Sequence, residues 1–320
     1  MIRRTASLLC FLVISPFVLH EQKPQQADSP EKVKVDGTNG TKTDSLIDSS
    51  QHIAMEKYWY KFAEARRAVT HFAWAAAGDH ENAGIYTEGG GSYLGVQAVH
   101  TVFKQGNFNL EIPPGAQGIQ TLFAPTSRPP NGSCLEMGTA YTTLSGHPTS
   151  VHIYVYDFCK TPRRFVYAAI VDDAFIQTYT REVVPGNASY QIRIWPGEHS
   201  VGGQTKWYAQ IFNYSKKEWA TLAFSTGVVQ SDRTGWSIFE TWYKEGQCSR
   251  TLKSIQATDI SYYDALKSAW VPIVDNMSPL HNSLNRGGNC FVNQDSNNLA
   301  SYAVTEVGSS HGWRVKGTNH

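Results

Sequence analysis

The sequence predicts an all-β protein, an antiparallel β-sandwich with one helix ahead of it, and three observations carry that expectation. Aromatic residues make up 12% of the 320 positions while only 17% are charged, against roughly 25% charged in an average soluble domain. From about residue 80 onward, short apolar runs alternate with clusters of Gly, Pro and Asn at the spacing of sheet strands. Helical periodicity is convincing in a single stretch, near residues 52–78.

The N-terminal "MIRRTASLLCFLVISPFVLH" places Arg3 and Arg4 ahead of an apolar run from about Leu8 to Leu19. That is the layout of a secretory signal, expected over 1–20, and the run is short for a membrane span. A secreted, soluble mature form follows from this reading. Residues 21–79 read as a linker and a helical, pro-like segment. Up to about residue 50 the composition is polar and almost free of large apolar groups. In "SQHIAMEKYWYKFAEARRAVTHFAWAAAGD", Ser50 offers a cap, apolar residues recur at three- and four-residue steps, and Gly78 ends the helix. Two roles stay open for it: a cover over a groove, released in acid, or an ordinary packing helix.

Residues 80–320 form the expected sandwich. Eleven runs read as strands, from "YLGVQAVHTVF" through "IQTLFAP", "CLEMGTAY", "VHIYVYDF", "FVYAAIV" and "FIQTYT" to "LKSIQATDISYY". Hairpins are expected at Asn213–Lys217 and Pro185–Asn187. Beyond about Pro272 the composition turns to Asn, Ser and Gly, and a loop-rich wrap is expected there. Cys10 falls in the signal, which leaves Cys134, Cys159, Cys248 and Cys290 for two disulfides. Four cysteines allow three pairings, and the sequence does not choose.

A net charge of +1 gives no electrostatic footprint for nucleic acid. Ligand spacing for a metal is absent, as are GxSxG, HExxH and a glycine-rich phosphate loop. No cofactor is therefore expected. The chemistry has to come from acidic residues in unusual places, and two stand out. In "RTGWSIFETWYKEG" a strand puts Trp236, Ile238, Glu240 and Trp242 on one face. A carboxylate among aromatic rings is costly to ionise. In "NGSCLEMGTAYTT" a strand points Leu135 and Met137 into the core and sets Glu136 among the small side chains of Cys134, Gly138 and Ala140. One glutamate would sit on an open floor and the other in an aromatic wall. Two carboxylates in unlike surroundings can divide the acid and base roles of hydrolysis.

"HENAGIYTEGGGSYLGVQAVHTVF" resembles the segment that opens the catalytic domain of the neprosin family, through His80, Glu81, Tyr93, Gly95 and Ala98. "CLEMGTAY" is similar to the family's Ile-Glu-Ala-Gly-Trp strand, "AFIQTYTREVVPG" to its Gly-Phe-Val-Gln-Thr strand, and "NCF" at 289–291 to a late Asn-Cys-Tyr. The likeness spans roughly 80–295. The resemblance implies a secreted glutamic peptidase on a concanavalin-A-like sandwich, active in acid and cleaving after proline with a pair of glutamates. It carries the first glutamate to Glu136. The second is assigned to Glu240, which follows Trp236 by four residues where the family has three. "WSIFETWY" also looks like the Trp-Ile-Val-Glu strand of the eqolisins.

On this reading Glu240 donates to the leaving amine and Glu136 activates water, with the reverse assignment equally open to the sequence. Gln97, Gln177 and Tyr141 are the candidate donors to the oxyanion, and Trp236 and Trp242 flank a subsite for a proline ring. The partner is a peptide or protein substrate, and a monomer is expected. Two other classes remain: a non-catalytic carbohydrate-binding sandwich, or a glycan lyase or hydrolase using the same carboxylates. A catalytic pair should face across one groove with the carboxyls within about 5 to 9 Å.

Overall fold

Strand-forming residues alternate inward and outward through most of the described chain, and the alternation builds two sheets with one shared core. The structure is a computed structural model that describes residues 80–88, 92–112, 119–144, 147–160, 164–184, 187–197, 206–227, 234–242, 248–273, 281–285, 290–291, 302–307 and 312–317. The expected signal at 1–20 and the expected helix at 52–78 lie outside the described residues.

In chain order the strands are β1 (His80–Glu88), β2 (Tyr93–Val102), β3 (Ile119–Arg128), β4 (Leu135–Leu144), β5 (Ser150–Asp157), β6 (Arg164–Ile170), β7 (Arg181–Val184) and β8 (Asn187–Trp195). They continue as β9 (Lys206–Asn213), β10 (Glu218–Thr226), β11 (Gly235–Trp242), β12 (Ser254–Asp264), β13 (Ala269–Pro272), β14 (His281–Asn285), β15 (Tyr302–Val307) and β16 (Gly312–Gly317). A short helix, α1 (Asp173–Tyr179), sits between β6 and β7.

One sheet has seven strands in the order β14-β1-β11-β3-β4-β5-β6. The other has nine: β10-β9-β8-β2-β12-β16-β15, with β7 on β8 and β13 on β12. Every named pairing is antiparallel. The described residues are almost wholly β and antiparallel, as a β-sandwich requires.

Side chains of both sheets interdigitate in the core, with Leu135, Met137, Val151, Ile153, Val155 and Phe239 from the seven-stranded sheet meeting Ile192, Ile194, Ala209 and Trp313 from the other. A polar cluster is enclosed with them. His100 Nε2 lies 3.0 Å from Ser127 Oγ. Its Nδ1 lies 3.3 Å from the Tyr190 hydroxyl, which in turn stands 2.8 Å from Thr139 Oγ1. Burial holds the His100 imidazole down at about 3 and pushes the Tyr190 phenol up.

Two expectations about secondary structure need correcting. "FIQTYT" is helical rather than extended: Asp172 caps the segment by accepting from the Phe175 backbone N–H at 2.8 Å, and Phe175 packs into the core with Ile176 and Tyr179 against it. The stretch beyond Pro272, expected to be a loop-rich wrap, contains β14, β15 and β16. Partners within the two sheets override the low strand propensity of that Asn- and Ser-rich composition.

Both expected hairpins are present: Asn213 pairs with Glu218 across the β9–β10 turn, and Val184 with Asn187 between β7 and β8. Two disulfides form, Cys134–Cys159 and Cys248–Cys290, which settles the pairing that the sequence left open.

Candidate functional site

The outer face of the seven-stranded sheet carries an unusual layer of aromatic side chains around two buried carboxylates. Strand parity decides which residues face that way. On β11 Phe239 enters the shared core, and Ser237 accepts from the Trp313 indole at 3.1 Å across the sandwich. Trp236, Ile238, Glu240 and Trp242 therefore face outward, as alternation predicts. On β4 Leu135, Met137 and Tyr141 are core residues, so Glu136, Gly138 and Ala140 face outward. Glu136 and Glu240 share one face.

Glu136 is 0% exposed and is held at both oxygens. The Tyr154 hydroxyl on β5 donates to Oε1 at 2.8 Å, and the Trp236 indole on β11 donates to Oε2 at 3.0 Å. The Tyr154 hydroxyl also lies 2.9 Å from Thr126 Oγ1. Gly138 makes that reach possible. It pairs with Tyr154 on one side and with Thr126 on the other, and a Cβ there would press on the Pro125 carbonyl and stand 2.8 Å from Thr126 Cα.

Glu240 is 2% exposed, and its Oε1 accepts from the Trp242 indole at 3.1 Å. The glutamates stand on either side of β3. Glu240 pairs with Phe123, which pairs with Ala140; Trp236 pairs with Arg128, one step beyond the Ser127–Met137 pair. Across the sheet they are two strands apart, and along it four residues apart. At about 4.8 Å per strand and 3.3 Å per residue, their backbones are roughly 16 Å apart on a diagonal centred on Thr126. The shared face fits a catalytic pair, while the backbone diagonal is wide for one.

Rings complete the layer. Phe123, Tyr154, Tyr156, Trp242, Phe158 and Phe165 form one cluster, with Phe123 edge-on to Tyr154 at 5.3 Å and Phe158 edge-on to Trp236 at 6.1 Å. The expectation that Glu136 sits on an open floor is corrected: small neighbours flank it along its own strand, but Tyr154 and Trp236 reach over from β5 and β11. Arg128 is a member that sequence reasoning passed over. Its guanidinium, 1% exposed, lies 4.8 Å from the Trp236 ring and 4.8 Å from the Phe158 ring, and it donates to the Ser133 carbonyl at 3.0 and 3.2 Å. A cation over the ring that hydrogen-bonds Glu136 adds positive charge beside the site. The available signal was a lone Arg ending an apolar run just before "PPNG".

Three expected donors are elsewhere. Tyr141 points into the core, stacked on Phe108 at 4.0 Å, because it shares parity with Leu135 and Met137. Gln97 is on β2 of the other sheet. Gln177 is exposed on α1, where its backbone carbonyl accepts from Ser215 at 3.4 Å. None of the three is on the face with Glu136. The hydroxyl at hand there is that of Tyr154.

Cys134, Asp157 and Cys159 bring potential metal ligands within 4.8 Å of one another, but the two cysteines form a disulfide and their sulfurs cannot ligate as thiolates. The two disulfides fit an oxidising, extracytoplasmic setting. Among the described residues no helix is long and apolar enough to cross a membrane.

No family model and no curated protein matches the chain. Among solved structures, the CBM2 module of the evolved Dit protein from Lactobacillus casei BL23 phage J-1 aligns with half of the chain at 11% identity and a TM-score of 0.23. The alignment spans 60% of that module.

Proposed function

We propose that the protein is a secreted, acid-active glutamic endopeptidase with a preference for proline, using Glu136 and Glu240 on the outer face of the seven-stranded sheet. The observation that carries this reading is the placement of two buried glutamates on one aromatic-lined face, with Gly138 and Thr126 as the floor between them. The scissile carbonyl lies over Thr126. Glu136 takes a proton from water as the new C–O bond forms. Glu240 gives a proton to the amine nitrogen as the C–N bond breaks, and the proton on Glu136 then returns to Glu240 through solvent. Trp236 and Trp242 are the flat walls for a proline ring. Tyr154 replaces the earlier oxyanion candidates as the nearest hydroxyl donor. Both glutamates are closed to solvent here, so the face must open before a substrate reaches them.

The test is hydrolysis of a proline-containing fluorogenic peptide from pH 2 to pH 7, with and without prior incubation in acid. Cleavage in acid, lost in both Glu136→Gln and Glu240→Gln, is the expected result. No cleavage under any of these conditions ends the proposal. Activity that survives Glu240→Gln but not Glu136→Gln leaves Glu136 in place and requires a different second carboxylate.

A further inference from the structure

Parity on the nine-stranded sheet assembles a second surface, away from the glutamates. Ile192 and Ile194 of β8, Ala209 and Ile211 of β9, and Val96 and Ala98 of β2 point into the shared core, so the alternate positions face outward. Register then lines up the outward residues across six neighbouring strands, β10, β9, β8, β2, β12 and β13. One row reads Phe224, Tyr208, Trp195, Gly95, Tyr263 and Trp270. The row beside it reads Thr221, Gln210, Arg193, Gln97, Ser261 and Pro272. Rings occupy the first row on every strand but β2. Amides and hydroxyls dominate the second.

Gly95 fills the one ringless position. A Cβ there would stand 3.0 Å from both Trp195 Cβ and Tyr263 Cβ, and its absence lets those two rings meet at 5.4 Å. Trp270 joins them, 5.5 Å from Tyr263 and 6.3 Å from Trp195. At the far end of the row Phe224 is 48% exposed, and Tyr208, Tyr263 and Trp270 are half-buried. In the polar row Gln210 accepts from the Trp195 indole at 3.1 Å and donates to Thr221 at 2.9 Å, which ties the two rows together. Arg193 is the one charged residue in either row. Its guanidinium lies 4.6 Å from the Trp195 ring and 4.3 Å from the Trp219 ring, while Nε donates to Gln210 at 2.6 Å. Arg193 is therefore a brace committed within the protein. Gln97 beside it is half-buried, and its amide makes no hydrogen bond among the described residues.

We infer that this face binds an extended, neutral polysaccharide of equatorially linked pyranose rings, lying across the strands along the two rows. Six strands at about 4.8 Å give a straight track of roughly 24 Å. A chain of equatorially linked sugars is a flat ribbon that advances by close to one strand spacing per ring, whereas an axially linked chain coils away from a straight track. Each sugar offers an apolar C–H face to a ring and hydroxyl edges to an amide, and the two rows present that pair of chemistries side by side. An extended peptide repeats every 3.3 to 3.4 Å or so and turns alternate side chains away, out of step with the rows. A nucleic acid needs cations along its phosphates, and the rows hold only the committed Arg193. Neutrality of the ligand follows from the same absence of an available charge. Binding here does not depend on the peptidase reading, because the glutamates lie on the other sheet.

Affinity electrophoresis and calorimetry of the full chain test this. The probes are xylan and hydroxyethyl cellulose, with amylose as the coiled arm and polygalacturonate as the charged one. Expected is binding of xylan or hydroxyethyl cellulose, with affinity rising from the corresponding disaccharide to the hexasaccharide. Trp270→Ala should weaken it about tenfold, as loss of an anchoring ring does. Gln97→Ala should weaken it about threefold, as loss of a neutral hydrogen bond does. Raising salt from about 50 mM to about 500 mM should change affinity less than about twofold. Leu252→Ser, which alters an exposed apolar side chain beyond the opposite end of β12, should leave binding intact. No binding of either neutral ribbon polymer overturns the inference, as does equal binding of amylose. Tighter binding of polygalacturonate overturns it too, as does unchanged affinity in both Gln97→Ala and a Trp270→Ala variant with unaltered thermal unfolding.

Discussion

The Trp236 indole hydrogen-bonds the Glu136 carboxylate at 3.0 Å although the two residues are 100 positions apart in the chain and two strands apart in the sheet. The contact spans β3, and the same ring lies under the Arg128 guanidinium. One side chain therefore orients the acid and places a cation beside it.

Trp236→Phe keeps a ring for Arg128 but removes the donor to Glu136. A buried hydrogen bond to a charged group contributes about 1.5 to 3 kcal/mol. Urea unfolding should show a loss of that order, and any peptidase activity should fall with it. Tyr154→Phe removes the donor to the other oxygen and should cost a similar amount.

Gly138→Ala tests the floor between the glutamates. The added methyl has no room against Pro125 and Thr126, so β3 or β4 must shift and carry the Tyr154 hydroxyl away from Glu136. Overpacking of this kind costs about 1 to 3 kcal/mol. Thermal unfolding should report the loss, and the Tyr154→Phe change should then cost less in the Gly138→Ala background than in the natural chain.

Strand identity was legible in the alternating aromatic and aliphatic runs, and so was the common face of Trp236, Glu240 and Trp242, because a two-residue period needs no partner strand. The same period already excludes Tyr141 from the face of Glu136, since residues 135, 137 and 141 share parity. Register was not legible. Nothing within "CLEMGTAY" says that Tyr154 and Trp236 will reach Glu136 from β5 and β11, or that Arg128 will stand alongside. The helix at 173–179 was hidden because Phe, Ile, Thr and Tyr favour strands, and the Asp172 cap decides against that preference. The late strands were hidden because their composition is that of loops.

His100 sets the response to acid. Its folded-state value of about 3 lies below the ordinary 6.5 because burial disfavours the imidazolium. Between those values the unfolded chain takes up a proton that the folded chain refuses. Stability is therefore full above about pH 6.5 and falls as pH drops toward about 3, by at most roughly 1.4 kcal/mol per pH unit. His100→Gln, which keeps hydrogen-bonding groups for Ser127 and Tyr190, should flatten that slope in urea titrations between pH 7 and pH 4. A slope unchanged by the substitution would assign the acid sensitivity to other groups.

The two disulfides should contribute unequally. They close segments of 25 and 42 residues, for which chain-entropy arguments give about 3.5 and about 4 kcal/mol. Paired Cys→Ala variants, compared by denaturant midpoint, should both be destabilised, with the Cys248–Cys290 pair the more costly.

The order of strands in the seven-stranded sheet has a consequence for biosynthesis. β1 is paired on both sides by late strands, β11 and β14, with His80 opposite Trp242 and Glu88 opposite His281. During translation β1 has to wait, unpaired on both edges, until β11 has followed it from the ribosome. Glu136 likewise waits for Trp236. Contacts this distant in sequence close slowly. The face bearing both glutamates is therefore among the last parts of the protein to exist, and a truncated or stalled chain carries no assembled pair.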